Sequence, residues 1–131
     1  REYKQSILAN IVEKESEASS DLYDTAFAID NEGKLVGRYR KYFLYPPENK
    51  YFRSGSEIPV VDTGTVKVGM AICFDHAFPE LFRVLGLKGA QIVFIPSAVP
   101  EGFEYLLNLR TRARAQDNQL FVLAANRVGQ A

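Results

Sequence analysis

"VKVGMAICFDHAFPELFRVLGLKGAQIVFIP", residues 66–96, decides how the chain folds. Val66 to Ile72 reads as a strand, Pro79 to Leu87 as a helix opened by a proline at its first turn, and Gln91 to Pro96 as a second apolar strand. Strand, helix and strand form one βαβ unit, and the pattern continues with a helix over Glu104–Gln116 and a strand over Leu120–Ala125. The second half therefore reads βαβαβ, with parallel pairing. Upstream the grammar differs. Ser6–Val12, Tyr23–Ile29, Lys34–Arg40 and Ile58–Asp62 are short strand-like runs. "DNEG" (30–33) joins the second to the third, Gly33 supplying the positive φ that a hairpin turn needs. The expected class is α/β, a mixed sheet in which antiparallel hairpins precede βαβαβ.

The 131 residues suit one domain, and 47% hydrophobic content can fill its core. Sixteen basic and sixteen acidic side chains cancel, leaving no overall field for a polyanion. Arg110, Arg112 and Arg114 do not share one helix face, so no nucleic-acid partner is expected. The apolar runs fall far short of the ~20 residues that span a bilayer, and "REYKQS" lacks the apolar core of a signal peptide, so no membrane partner is expected. A single cysteine excludes an internal disulfide and fits a reducing, cytoplasmic setting. One Cys, one His and no clustered carboxylates leave no metal site, and no cofactor is expected. The charged stretch "EKESEASSD" (13–21) reads as a solvated loop tip, and the aromatic "YPPENKYFRSGSE" (45–57) as a loop that builds a site. Both ends look cut, so a segment of a longer domain is expected.

Cys73 stands where the strand of the opening stretch gives way. A lone cysteine is either packing or a nucleophile. Ligands of open α/β sheets bind at the carboxyl ends of strands, and the helix opened by Pro79 would favour a thiolate there. The strand-to-helix elbow also offers the Phe74 N–H to an oxyanion. The thiol's partner could be His76, a lysine or a carboxylate. His76 lies three residues on; Lys41, flanked by Tyr42, Phe43 and Leu44, is either a stem lying over aromatic surface or a cation held in a low-dielectric pocket.

Five stretches carry a resemblance: "GRYRK" (37–41), "ENKYFRSGSE" (48–57), "VGMAICFDHAFPE" (68–80), "KGAQIVFIPSA" (88–98) and "RARAQDNQLFVLAANRVG" (112–129). In this order and spacing the chain resembles the nitrilase, or carbon–nitrogen hydrolase, superfamily. The resemblance implies a four-layer αββα sandwich, a Glu–Lys–Cys triad and a homodimer or larger homo-oligomer. Residues 1–131 would be a single domain of this kind, lacking its N-terminal and C-terminal portions. By position Cys73 becomes the nucleophile, Lys41 the catalytic lysine and Glu48 the second glutamate near the site. Lys41 and the Phe74 N–H would stabilise the oxyanion, with a thioester on Cys73 then hydrolysed.

The form of "ENKYFRSGSE" most resembles family members that act on N-carbamoyl compounds or small linear amides, and the resemblance thus implies these rather than a nitrile. The general-base glutamate of the resemblance belongs well upstream; Glu2 and Glu13 lie too close to Lys41 to match it. The alternative is a catalytically incomplete fold acting as a binding or assembly module. Phe43 and Ala77 stand where the family commonly has His and an Arg or large aromatic, and both loosen the expected substrate walls. Asp75 and Glu80 match structural positions, Asp75 as an acceptor of hydrogen bonds within the elbow and Glu80 as a first-turn carboxylate that complements the helix dipole, and Arg114 and Asn118 match structural positions close to a subunit interface.

Overall fold

The computed structural model describes residues 4–129; Glu2 lies outside them. Seven strands among these residues form two sheets. In the first, β1 (Ile7–Lys14), β2 (Leu22–Ile29) and β3 (Leu35–Arg40) are antiparallel neighbours in that order. The register of β1 on β2 runs from Ile7 opposite Ile29 to Lys14 opposite Leu22. The β2–β3 turn is fixed by Asp30, whose Oδ1 accepts the N–H groups of Glu32 and Lys34, each at 2.9 Å, and Gly33 has the expected positive φ of 85°.

The second sheet is mixed. β4 (Val60–Asp62) runs antiparallel to β5 (Lys67–Met70), and β5, β6 (Ile92–Ser97) and β7 (Phe121–Asn126) are parallel. Helices α1 (Pro79–Leu87) and α2 (Glu104–Asn118) make the two crossovers. The α/β class holds, with one refinement. The early hairpins form a sheet of their own, and only β4 adds an antiparallel edge to the βαβαβ sheet. Two sheets let each apolar face bury the other. Ala26, Ala28 and Tyr39 of the first belong to the same buried cluster as Val61, Val68, Met70 and Ile95 of the second. Leu81, Phe82 and Leu85 of α1 complete that core, and burying a side chain of this size contributes about 1.5–3 kcal/mol.

Two local expectations need correction. The run 13–21 is not wholly a solvated tip, because β1 continues through Lys14. The Glu13 carboxylate accepts hydrogen bonds from Thr25 Oγ1 (2.7 Å), Arg40 and Arg38, and chiefly the Arg40 guanidinium holds it below the usual carboxylate range. Cross-strand pairing thus overrode a composition that reads as loop. The strand before Cys73 also stops early, at Met70, and residues Cys73–Ala77 form a 3₁₀ turn. Helix α1 spans Pro79–Leu87 as expected, and the 3₁₀ turn stands between the thiol and its N-terminus.

Candidate active site

The three parallel strands end side by side, and residues at or just beyond each end line the same cavity of ≈ 790 Å³. Ile72 and Cys73 lie just past β5, Ser97 and Ala98 close β6, and Asn126 and Arg127 close β7. Two bonds tie the last two ends together: Val99 N–H donates to Asn126 Oδ1 (2.9 Å) and Arg127 N–H to the Ser97 carbonyl (2.8 Å). The carboxyl edge of a parallel sheet is where backbone diverges and leaves room for a ligand, and the volume suits a small molecule. The first sheet closes the opposite wall with Asn10, Asp24 and Lys41.

Lys41 directly follows β3 and is fully buried, 0% exposed. Burying a lysine is costly unless its charge is paired. Here Nζ donates to Glu48 Oε1 at 2.8 Å and lies 3.6 Å from Asp24 Oδ2. Asp24 is in turn held by Asn10 Nδ2 at 2.8 Å. Glu48 sits in a short 3₁₀ turn, Pro46–Lys50, and its second oxygen accepts the Tyr45 N–H at 2.8 Å. The long loop is fastened beside the lysine by Gly55, whose N–H donates to the Lys41 carbonyl (2.8 Å). A Cβ at Gly55 would collide with the Arg40 carbonyl, so this close approach requires glycine.

Cys73 is half-buried on the same cavity and has φ 43°, in the left-handed region. A non-glycine residue there carries strain of order 1–3 kcal/mol, held by its surroundings. Asp75 supplies the hold. Its Oδ2 accepts the Ile72 N–H (2.8 Å) and the Tyr39 hydroxyl (2.7 Å), and its Oδ1 accepts the Phe43 N–H (2.9 Å). One carboxylate thereby joins both flanks of the elbow to the strand end that carries Lys41. Burial pushes the Asp75 carboxyl up to about 6 against the pull of those bonds, and burial with the adjacent carboxylate raises the Tyr39 hydroxyl. The Phe74 N–H has no acceptor among the described residues and is free to donate.

His76 also lines the cavity, but burial, followed by the nearby Arg110 charge, lowers it to about 4. Among the described residues its buried Nδ1 has no partner, and no hydrogen bond joins it to Cys73. Phe43 stacks on Phe78 with ring centroids 3.8 Å apart, so the position where a family histidine is common is filled by aromatic packing. Arg114 reaches the Ala77 carbonyl (3.4 Å) and Asn118 the Arg114 carbonyl (3.0 Å). The four residues singled out from sequence, Cys73, Lys41, Glu48 and Phe74, all line this one cavity. Sequence reasoning missed Asp24 and Asn10, each a polar residue inside a strand-like run.

Comparisons with known proteins fit this geometry. A family model described as carbon–nitrogen hydrolase matches residues 1–131. A probable nitrilase of Schizosaccharomyces pombe is 37% identical over 127 residues, which are 97% of this chain and 47% of that protein. The chain thus spans about half the length of the relatives it matches. The crystal structure of a carbon–nitrogen hydrolase from Helicobacter pylori superposes with a TM-score of 0.86 at 28% identity, covering 98% of this chain and 48% of that one. A variant of an amidase from Nesterenkonia has the same TM-score, 0.86, and identity, 28%, over 95% of this chain and 48% of its own. That variant shows covalent addition of the acetamide moiety of fluoroacetamide at its active-site cysteine.

Proposed function

The chain belongs to the carbon–nitrogen hydrolase family, and from that premise we propose that it supplies the nucleophile and the oxyanion-stabilising cation of an enzyme hydrolysing linear amides or N-carbamoyl compounds. The observation that carries this reading is a fully buried Lys41, paired with Glu48, on the same cavity as a strained Cys73. The cysteine adduct of the Nesterenkonia amidase supports the assignment of the thiol.

A carboxylate takes the Cys73 proton, and the thiolate attacks the carbonyl carbon. The oxyanion collects the Lys41 ammonium and the Phe74 N–H, ammonia or an amine leaves, and water releases the acid from the thioester. Glu48 holds Lys41 in place. The whole protein acts as a homodimer or larger homo-oligomer in the cytoplasm. No helix among the described residues is long and apolar enough to cross a membrane.

One observation favours a second reading. Among the described residues both cavity carboxylates are engaged by other groups, Glu48 by Lys41 and Tyr45 and Asp24 by Asn10, and none is hydrogen-bonded to the Cys73 thiol. A binding or assembly module would need no base. Intact mass of the full-length protein after brief exposure to amides and N-carbamoyl acids separates the two. An acyl adduct that maps to Cys73 is expected; no adduct and no ammonia across the panel would leave only the module. Lys41→Ala is expected to lower turnover about 10²–10³-fold, the scale of one oxyanion donor, and His76→Ala far less. The reverse order would make His76 the thiol's partner.

A further inference from the structure

The cavity's charges are balanced in one part of its lining and unbalanced in another. Asp24 of β2 and Glu48 of the Pro46–Lys50 turn face Lys41, and all three are engaged. Elsewhere in the lining, Phe103, the residue just before α2, is followed by Leu106 and Arg110, four apart and so on one face of that helix. The stripe begins apolar and ends in a half-buried guanidinium. Among the described residues Arg110 has no ion-pair or side-chain hydrogen-bond partner. The next residue on that face, Arg114, is by contrast spent on the Ala77 carbonyl. Beside Arg110 stands His76, which burial keeps neutral near pH 7, so it neither shares nor cancels the arginine's charge. The exposed Arg127, on the same cavity, adds a second positive charge.

A half-buried guanidinium without a counter-ion, at the end of an apolar wall, is matched by a carboxylate at the end of a short methylene chain, which a guanidinium can hold with two parallel hydrogen bonds. We propose that Arg110 anchors a carboxylate carried by the substrate, so that the enzyme selects linear amide or carbamoyl compounds bearing an acidic group over neutral ones of equal length. The apolar face of Phe103 and Leu106 lies along the intervening methylenes, and the scissile carbon is delivered to Cys73. This rests on the hydrolase reading and adds to it the substrate class and the residue that selects it.

The experiment compares succinamate with butyramide, which has the same length and no charge, on the full-length protein. Arg110→Leu is expected to lower the ratio of kcat/KM for succinamate over butyramide by roughly 10- to 100-fold, mainly through KM, the scale on which losing a charge-assisted pair with a half-buried guanidinium discriminates. Arg110→Lys should restore part of the ratio. A ratio unchanged in Arg110→Leu, or equal losses on both amides, would overturn the proposal, the latter by making Arg110 a scaffold residue only. Binding of succinate to the Cys73→Ala protein, read by calorimetry, is independent of the chemistry. Where neither amide is hydrolysed, this arm alone decides: succinate binding that Arg110→Leu abolishes keeps the anion subsite, and binding indifferent to Arg110, or none, removes it, while the hydrolase reading is decided separately by the adduct and ammonia panel.

Discussion

The two 3₁₀ turns of this protein are built alike and do different things. In each, the third residue is acidic and its carboxylate reaches back to the N–H of the residue before the turn: Glu48 to Tyr45, Asp75 to Ile72. In each, the carboxylate then meets a side chain from the end of β3, Lys41 for Glu48 and Tyr39 for Asp75. Those two residues are two apart and so share a face of an extended chain. What differs is burial and partner. Asp75 is fully buried and accepts from three neutral donors, whereas the Glu48 side chain keeps 26% exposure and holds an ammonium. The same local motif therefore locks backbone in one turn and places a charge at the cavity in the other.

The comparison is sharpened most by removing one carboxylate charge at a time. Asp75→Asn leaves one of two buried backbone donors facing an amide NH₂ and is expected to cost about 2–3 kcal/mol of unfolding free energy at pH 7. Glu48→Gln keeps one acceptor oxygen for the two donors Tyr45 and Lys41, but Glu48 is partly exposed and Asp24 still faces the ammonium at 3.6 Å, so the loss should be smaller, about 1 kcal/mol, and fall mainly on kcat. Chemical denaturation beside steady-state kinetics would break the contrast if the two variants lost stability equally.

A smaller effect lies in the pH dependence. Burial raises Asp75 from its ordinary 3.8 to about 6, so its contribution to stability is fully present below pH 4 and is lost as pH rises through 6. His76 is lowered from 6.5 to about 4, and its contribution is present above 6.5 and lost as pH falls through 4. The two slopes oppose each other. The deficit of Asp75→Asn against the unmodified protein should therefore shrink from pH 4 to pH 7, and that of His76→Leu should grow. Parallel trends in pH-dependent denaturation would contradict the burial assigned to one of them. The smallest change is Tyr39→Phe, which removes one of three donors to Asp75 and one acceptor for the Tyr42 N–H and should cost about 1 kcal/mol with both turns intact.

Much of the site was legible because it is written in local sequence. Gly33, Pro79 and the alternation of apolar runs after Val66 mark turns and elements by conformational preference alone, and the order of motifs around Lys41, Glu48 and Cys73 points to the family. The polar residues Asn10 and Asp24 were not legible, since a side chain in a strand acquires a role only when a second sheet is laid across it. The charge run 13–21 misled for the same reason: Glu13 is solvated in composition and paired in space, opposite Arg38 and Arg40 from two strands away.

By itself the sequence determined which segments are strands and helices, the parallel order of the second half and the chemical types of the candidate reactive groups, because these depend on side-chain periodicity and backbone preference over a few residues. Only the tertiary structure decided that the hairpins form their own sheet, that Asp75 reaches beyond its elbow to Tyr39 and Phe43, and that Arg110 faces the cavity with no partner among the described residues. Each of these depends on which distant groups are brought within about 3 Å while water is excluded, and a hydrogen bond or a buried charge has no counterpart in one-dimensional spacing.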